Sequence, residues 1–349
     1  MSFVHDLALP LLQRMEPERA HELTIRALKA GLGPRGRAGV DPVLETTLAG
    51  MRLPSPIGLA PGFDKNAEVT TAMLAAGFGF VEAGTVTPLP QAGNPRPRLF
   101  RLTEDRAVIN RMGFNNQGLE AFAGRLARRG RGTVGANIGA NKDSEDRIGD
   151  YVTGLTRLWG LADYFTINIS SPNTPGLRAL QAKDALEELL GRLSEARARL
   201  PARGKAPMFL KVAPDLEDGE VEVIVEAAVA EGLDGVVVSN TTLSRPGLRS
   251  AQAGEAGGLS GEPLFELSTQ MLRRFFEAAD GRTVLIGAGG VSSGAQAYTK
   301  ILAGASAVQL YSALVYQGPG LVGRIARDLA ARLKADGFLK VAEAVGASR

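Results

Sequence analysis

The sequence predicts an α/β fold, a (β/α)8 TIM barrel with a small helical extension at its N-terminus. From about residue 57 onward, eight short apolar runs that end in polar or glycine residues alternate with helical stretches. Continuous apolar runs are typical of buried parallel strands, and the alternation indicates βα units. No GxGxxG motif opens a helix after the first run, and eight strands exceed the usual number in a doubly wound sheet, so that alternative is disfavoured.

Residues 1–40 are predicted to form the N-terminal extension and its linker, and residues 41–349 the barrel domain. In the first helix, apolar residues from Val4 to Met15 recur on one face, and Pro10 is expected to kink or split it. The second helix should begin at Pro17 and end near Gly31. The pair is either a cap on the barrel or an amphipathic element that lies in a membrane interface and receives a lipophilic substrate.

The eight runs and the helical stretches between them define the predicted barrel. The runs cover residues 57–60, 80–85, 134–138, 164–169, 208–212, 235–240, 284–287 and 307–311. Helix-forming residues with a polar face cover residues 67–76, 119–129, 185–200, 220–231, 264–279 and 294–303. The connection between the second and third runs also carries the polar-aromatic segment 110–116, which is too elaborate for a simple turn.

The composition excludes several kinds of chemistry. The 349 residues include no cysteine, so disulfides, thiolate metal sites and a cysteine base are excluded. Only His5 and His21 are available, which disfavours a metal centre or a Ser-His-Asp triad. The net charge of +3 gives little reason to expect a nucleic-acid partner. No apolar run approaches the ~20 residues needed to span a bilayer and no secretory signal is visible, so we expect a cytoplasmic protein.

In a (β/α)8 barrel the C-terminal ends of the strands form one surface, and the active site lies there. The segment 168–176, after the fourth run, crowds amides, hydroxyls and two prolines into one turn. Lys65 follows the first run, and Lys211 lies at the end of the fifth. An ordinary strand-to-helix turn and a snorkelling lysine are the structural alternatives.

Glycines after the seventh run and Ser312 after the eighth match the place where barrels often bind a phosphate. The glycine-rich segment 257–261 is a further candidate source of N–H donors. Acidic residues other than Asp64 are scarce at the strand ends, which favours a flavin mononucleotide over a sugar phosphate. Asn137 and Asn168 suit the polar groups of a flavin ring, and Lys211 suits its negative charge after reduction. A phosphate-binding aldolase or isomerase and a non-catalytic nucleotide-binding barrel remain as alternatives.

Ten motifs carry a resemblance to a known family. They are LAPGFDKN, EAGTVTP, NRMGFNN, GANIGANK, INISSPNTPGLR, KVAPDL, VSNTT, GGLSG, GAGGV and VQLYS, in this order. From about residue 16 to residue 325 the chain resembles the dihydroorotate dehydrogenases, specifically the membrane-associated, quinone-dependent class. The segment EPERAH at residues 16–21 belongs to the resemblance. The soluble classes lack this helical extension and use a cysteine as base, which this chain does not contain.

The resemblance implies an FMN enzyme that oxidises dihydroorotate to orotate in pyrimidine (UMP) synthesis. It places FMN against strand-end residues, namely Ala60, Pro61, Gly62, Phe63, Asp64, Thr85, Asn137, Asn168, Lys211, Ser239, Gly261, Gly290, Tyr311 and Ser312. It places the substrate against Lys65, Asn110, Arg111, Met112, Gly113, Phe114, Asn168, Asn173, Asn240 and Thr241.

The implied roles agree with the chemistry of a planar carboxylic acid that contains a cyclic urea. Lys65 would pair with the carboxylate, asparagines would bond the ring, and Ser171 would take a proton, relayed through Thr174 and water with Phe114 closing the pocket. A quinone would enter between the N-terminal helices, near His21, Arg101 and Tyr311. The implied protein is a monomer, bound peripherally to the cytoplasmic face of the cell membrane.

Overall fold

Eight parallel strands form a closed barrel in the computed structural model, which describes residues 9–36, 41–201, 206–245 and 247–347. The strands of the described residues are β1 (Thr46–Leu48), β2 (Met51–Leu53), β3 (Ile57–Leu59), β4 (Phe80–Val86), β5 (Leu99–Leu102), β6 (Ala107–Asn110), β7 (Thr133–Ile138), β8 (Tyr164–Asn168), β9 (Met208–Val212), β10 (Gly235–Val238), β11 (Gly258–Gly261), β12 (Val284–Ala288) and β13 (Ala307–Leu310). The barrel order is β3-β4-β7-β8-β9-β10-β12-β13, closed by pairing of β13 with β3. Each predicted apolar run is a barrel strand, and the predicted fold class is confirmed.

Two helices precede the first barrel strand, and the others alternate with the strands of the barrel. They are α1 (described over residues 9–14), α2 (Pro17–Lys29), α3 (Thr70–Ala75), α4 (Leu119–Leu126), α5 (Arg147–Leu158), α6 (Lys183–Arg199), α7 (Glu220–Ala230), α8 (Phe265–Ala279), α9 (Gly294–Leu302), α10 (Ala313–Gln317) and α11 (Leu321–Ala335). The six predicted stretches correspond to α3, α4, α6, α7, α8 and α9. α4 ends three residues earlier than predicted, and α3 begins three residues later.

Helix α5 was not predicted, although its sequence contains the required signals. The Asp146 side chain caps its N-terminus by accepting a hydrogen bond from the Gly149 N–H at 2.8 Å. Ile148, Tyr151 and Leu155 recur at helical spacing and are buried against the barrel.

Aromatic rings fill the end of the barrel where the strands begin. Phe80, Tyr164 and Phe209 meet there, with centroids 6.2 Å and 5.5 Å apart along the series. Gly58 makes room for them, because a Cβ at that position would lie 2.2 Å from the Phe80 ring. The hairpin of β1 and β2, which was not predicted, covers this end through buried Leu48. The opposite end, where the strands finish, is left to form the site.

An antiparallel sheet of β5, β6 and β11 lies at the end where the barrel strands finish. Its first two strands belong to the connection between β4 and α4, and the third follows β10. The segment 257–261, predicted as a glycine loop, is therefore largely a strand, and the Leu259 N–H already donates to the Thr242 carbonyl at 2.8 Å. The Leu259 N–H is therefore not a free donor, and a contribution of other N–H groups of this segment to a phosphate site stays a prediction.

The second N-terminal helix has the predicted start. Pro17 is its first residue, and the Glu16 carboxylate accepts hydrogen bonds from the Glu18 and Arg19 N–H groups at 2.9 and 2.8 Å. Pro10 lies inside the described part of α1, whereas residues 1–8 and the linker residues 37–40 lie outside the described residues. No helix in the part of the chain that the structure describes is long and apolar enough to cross a membrane.

Candidate active site

One cavity of about 1050 Å³ extends from the C-terminal ends of the barrel strands to the N-terminal helices. It brings together most of the predicted site residues, namely His21, Ala60, Pro61, Gly62, Phe63, Lys65, Thr85, Arg101, Asn110, Met112, Gly113, Phe114, Asn168, Ser171, Asn173, Lys211, Ser239, Asn240, Thr241, Gly261, Gly290, Tyr311 and Ser312. Asp64, Arg111 and Asn137 do not line it. The grouping arises because parallel strands deliver all of their C-terminal ends to one face.

The Asp64 side chain holds the backbone instead of facing the cavity. It is buried, and its two oxygens accept hydrogen bonds from the Glu68 and Val69 N–H groups at 2.8 and 2.7 Å. Burial raises the pKa of Asp64, against the effect of these hydrogen bonds. Asp64 thus fixes the loop that carries Lys65, and its bonds to this loop explain why α3 begins only at Thr70.

The Arg111 side chain also faces away from the cavity. Its guanidinium pairs with Glu255 at 2.7 Å and lies 4.5 Å from the centroid of the Phe100 ring. Arg111 Nε donates to the Pro97 carbonyl at 3.1 Å. The side chain therefore holds the outside of the substrate loop, and a direct contact from Arg111 to the substrate stays a prediction.

Asn137 lies behind the cavity wall, within a chain of amides. Its Nδ2 donates to buried Glu82 at 2.7 Å, while its Oδ1 accepts from Asn168 Nδ2 at 3.1 Å. Asn168 Nδ2 also donates to the Thr85 hydroxyl at 2.9 Å. The network fixes the orientation of the Asn168 amide at the cavity surface. Contact between Asn137 and a cofactor remains a prediction.

Sequence reasoning missed a polar cluster inside the barrel. Besides Asn137, the carboxylate of Glu82 accepts hydrogen bonds from Gln309 Nε2 at 2.6 Å and from the Tyr164 hydroxyl at 3.1 Å. All of these side chains are fully buried. The sequence did contain a signal for this cluster, because a glutamate and a glutamine interrupt otherwise apolar strand runs. Polar side chains buried at such positions are expected to bond one another.

Lys211 reaches the cavity from the end of β9. Burial lowers the pKa of Lys211, and the negative charge of Glu82 opposes that shift. Among the described residues, no hydrogen-bond partner is found for Lys211 Nζ. A buried ammonium that faces a cavity without a partner can serve a bound anion or carbonyl group.

The loop after β8 presents Ser171 to the cavity. Ser171 is buried, and its Oγ accepts a hydrogen bond from the Asn173 N–H at 3.2 Å. Asn173 Nδ2 in turn donates to Asn110 Oδ1 at 3.2 Å. Asn240 Nδ2 donates to the neighbouring Ser170 hydroxyl at 3.0 Å. Two other strand-end segments, which carry Asn110 and Asn240, therefore converge on the loop that carries the candidate base.

Lys65 supplies a positive charge to the same cavity. The pKa of Lys65 is lowered to about 8, mainly by desolvation. The negative charge of Glu18 acts to raise this pKa, and the positive charge of Arg98 acts to lower it. The lysine therefore remains protonated at neutral pH but responds to alkaline pH.

A tight backbone cradle lies beyond β12, at the predicted phosphate position. Gly290 has φ +76°, and a Cβ there would lie 2.5 Å from Cα and Cβ of Phe265. The Ser312 hydroxyl donates to Ser260 Oγ at 2.7 Å, and both residues line the same cavity as Gly290. Elsewhere in the cavity, next to Gly258, Thr241 Oγ1 is buried without a partner among the described residues. Because the Ser260 hydroxyl itself donates to the Val108 carbonyl at 3.2 Å, the bare backbone at Gly290 is the feature that suits an anionic ligand.

The opposite end of the cavity is aromatic and apolar. Phe63 contacts His21 and Tyr311 edge-to-face, at centroid distances of 5.5 and 5.6 Å. Burial, and then the charge of Lys65, lower the pKa of His21 to about 3, so the ring is neutral at physiological pH. Arg101 Nη1 donates to the Gln13 carbonyl at 2.6 Å, and its buried Nε has no partner among the described residues.

A closed (β/α)8 barrel whose strand ends surround a polar cavity with an apolar entrance has the architecture of a barrel enzyme with its active site at the C-terminal strand ends. The described residues contain no group of three or more His, Cys, Asp or Glu side chains that could hold a metal ion. The dihydroorotate dehydrogenase family model matches residues 43–333. The chain belongs to the dihydroorotate dehydrogenase family.

Individual proteins agree with this assignment. The chain is 59% identical to a dihydroorotate dehydrogenase (quinone) of Rhodospirillum rubrum over 346 residues, which cover 98% of this chain and 94% of that protein. It is 59% identical to the protein of the same name from Parvibaculum lavamentivorans, over 98% of this chain and 97% of that one. A crystal structure of DHODH from Eimeria tenella in complex with ferulenol matches with a TM-score of 0.92 and 40% identity, over 95% of each chain.

Proposed function

We propose that this enzyme oxidises (S)-dihydroorotate to orotate in UMP biosynthesis and passes the electrons through FMN to a membrane quinone. The observation that carries the proposal is the single cavity, which joins a polar pocket at the strand ends to an apolar entrance between the N-terminal helices. Relatives that are 55–59% identical are named dihydroorotate dehydrogenase (quinone). A phosphate-binding aldolase would not need the apolar entrance.

The donor set fits FMN. The cradle at Gly290 and Gly261 would hold the phosphate, since a Cβ at Gly261 would meet the Arg106 carbonyl oxygen at 2.5 Å and no larger residue fits. The Thr241 hydroxyl, which has no partner among the described residues, and the Lys211 ammonium also line the cavity and offer hydrogen-bond donors to the cofactor. Bound there, FMN would supply the capacity to take up a hydride and to pass two electrons on to a quinone.

Lys65, the asparagines and Ser171 have distinct roles in this reaction. The Lys65 ammonium pairs with the substrate carboxylate, and Asn110, Asn173 and Asn240 offer amide groups to its ring. Ser171 removes the proton from one ring carbon while the neighbouring carbon loses its hydride. The Asn173 N–H, 3.2 Å from Ser171 Oγ, stabilises negative charge on that oxygen as it gives up its own proton. We assign Thr174 and bound water to carry that proton away.

The apolar end of the cavity is assigned to the quinone. The unpaired Nε of Arg101 is a donor for a quinone carbonyl, and neutral His21 lies at the same end with Tyr311. Leu11 and Leu32, which line the entrance, are each 67% exposed. An apolar rim of this kind fits residues 1–40 as a membrane-contacting extension of the barrel domain 41–349. The proposed enzyme is a monomer, attached peripherally to the cytoplasmic face of the cell membrane.

Anaerobic stopped-flow spectroscopy of the purified protein tests the chemistry. The protein should be yellow, and dihydroorotate should bleach its flavin absorbance. The Ser171→Ala variant should still bind FMN and orotate, but its flavin reduction should be slower by ~10²-fold or more, the size of a general-base contribution. Near-normal reduction in this variant would disprove the assignment of Ser171.

The electron acceptor is tested separately by steady-state turnover with a quinone, fumarate and NAD in parallel. Only the quinone should support turnover, and replacing Arg101 with Leu should raise the KM for quinone while flavin reduction by dihydroorotate stays unchanged. Turnover with fumarate or NAD at a comparable rate would contradict the quinone assignment.

A further inference from the structure

Three side chains outside the cavity connect helix α2 to the substrate loop. They are Glu18 on α2, Arg98 just before β5, and Asn94 in the preceding turn, and none of them lines the cavity. Neighbours along this series are joined by direct hydrogen bonds of 2.7–3.3 Å, and the bond from Arg98 to Asn94 goes to the Asn94 backbone carbonyl.

The first contact is a buried ion pair. Arg98 donates through Nη2 to Glu18 Oε1 at 2.7 Å and through Nε to Oε2 at 3.1 Å, and both residues are buried. Arg96 approaches Glu18 Oε1 from the solvent side at 3.0 Å. Burial raises the pKa of Glu18, but the hydrogen bonds and charges of the two arginines outweigh it and hold the pKa below its usual range. The carboxylate is therefore charged and fixed in a bidentate geometry.

The second contact folds the turn before β5 around the same guanidinium. Arg98 Nη1 donates to the carbonyls of Ala92 and Asn94 at 2.6 and 2.8 Å. The turn has little freedom, because a Cβ at Gly93 would lie 2.8 Å from Arg98 Nη1. The position of Arg98, which is set by Glu18, thus determines the position of Asn94.

The third contact reaches the substrate loop. Asn94 Nδ2 donates to the Asn173 carbonyl at 3.1 Å and to the Arg111 carbonyl at 3.0 Å. Asn173 is the residue whose N–H donates to Ser171 Oγ and whose side chain bonds Asn110. One amide group therefore holds together the two segments that carry the proposed base and the proposed substrate ligands.

We infer that Arg98 and Asn94 are positioning residues through which the docking of helix α2 holds the Ser171–Asn173 loop in the geometry needed to oxidise dihydroorotate. The inference rests on the proposed function. It gives the N-terminal extension a part in the first half-reaction, in addition to its proposed part in quinone access. The connection is made by charge and hydrogen bonds whose geometry is fixed, which apolar packing alone would not impose.

The test compares two variants of the full-length holoenzyme in the anaerobic flavin-reduction assay. Asn94→Ala removes two hydrogen bonds, so it should raise the Kd for dihydroorotate and lower the limiting rate of flavin reduction. The ratio of that rate to the Kd should fall by about tenfold. Reoxidation of its reduced flavin by a quinone should stay within about twofold of the unmodified enzyme. Glu18→Gln should impair reduction in the same direction, because the neutral amide holds Arg98 less firmly. All variants are compared at about pH 6, so that Lys65 stays protonated without the charge of Glu18.

The double variant Glu18→Gln, Asn94→Ala decides whether the two residues act in series. If they do, the double variant reduces its flavin no more slowly than Asn94→Ala alone. Glu120→Gln is the matched control, since Glu120 makes a similar two-point pair with Arg157, at 2.7 Å for both bonds, on the exposed surface. The control should behave as the unmodified enzyme does.

Each contrary result overturns a definite part of the inference. Unchanged reduction in Asn94→Ala, or an equal loss of both half-reactions together with a lower melting temperature, would show that Asn94 has no specific role in positioning. Effects that multiply in the double variant would show that Glu18 does not act through Asn94. If dihydroorotate fails to reduce the unmodified enzyme, the proposed function fails instead, so the two failures are distinguishable.

Discussion

The cradle at Gly290 can be tested by replacing one hydrogen with a methyl group. In Gly290→Ala the new Cβ would lie 2.5 Å from Phe265 Cα, whereas ordinary van der Waals contact begins at about 3.4 Å. The loop must therefore move by roughly 1 Å, away from the position at which its N–H groups would meet a phosphate. A displacement of this size should weaken FMN binding by about 100-fold, which corresponds to about 2.8 kcal/mol.

Gly281 provides a matched control on the same barrel. It has the same positive φ of +76°, but a Cβ added there meets no atom within 4 Å. Both alanine variants lose about 1–2 kcal/mol from the left-handed backbone conformation. Any difference between them therefore comes from the contact with Phe265 and not from backbone strain.

The assay is equilibrium binding of FMN to each folded apoprotein, followed by the quenching of flavin fluorescence. Gly281→Ala should bind FMN as the unmodified protein does, although it should melt at a lower temperature. Gly290→Ala should bind about 100-fold more weakly. Equal FMN affinities in the two variants would show that the glycine loop after β12 does not hold the phosphate.

Three further predictions concern single groups. Because the pKa of Lys65 is about 8, its positive charge is present below that pH and lost above it. The Kd for orotate should therefore rise about tenfold per pH unit at alkaline pH. A Kd that stays constant from pH 7 to 10 would contradict the pairing of Lys65 with the carboxylate. Because the pKa of His21 is about 3, the pH dependence of the KM for quinone should show no inflection from this ring between pH 5 and 8. An inflection in that range that disappears in His21→Gln would show that the ring becomes protonated there. Tyr151→Phe should lower the free energy of unfolding in urea by about 1–3 kcal/mol, because the buried hydroxyl donates to the Asn168 carbonyl at 2.7 Å; an unchanged midpoint would show that this hydrogen bond contributes nothing.

The barrel could be predicted because its strands are buried on both faces. A strand such as Met208–Val212 contains consecutive residues that are all buried, so it stands out as an apolar run even without knowledge of its neighbours. The sheet of β5, β6 and β11 gives a weaker signal. Leu99–Leu102 alternates between partly exposed and buried residues over only four positions, and its sheet is completed by Gly258–Gly261, far along the chain. Pairing over such a distance leaves no local pattern.

The sequence predicted which residues lie near the cavity better than it predicted the directions in which their side chains point. Residues at strand ends reach one surface because of the barrel topology, and Lys65, Ser171 and Lys211 line the cavity as expected. Beyond the last paired residue, however, the alternation of a strand no longer determines where a side chain points. Asp64 and Arg111 consequently lie at the predicted place in the chain but bond the backbone and an external carboxylate.

The buried pair of Glu18 and Arg98 shows what sequence patterns do not reveal. A glutamate in the first turn of a helix is already explained by the helix dipole, so nothing in the local sequence indicates that Glu18 has a partner 80 residues away. The cost of desolvating both charges makes such a pair a weak source of stability, and similar pairs can often be replaced by apolar residues without loss of fold. What an apolar replacement would lose is the two-point geometry of the guanidinium, which also fixes the Asn94 carbonyl. The reason to keep a charged pair at this position is therefore the placement of the substrate loop, and a stability measurement alone would not detect it.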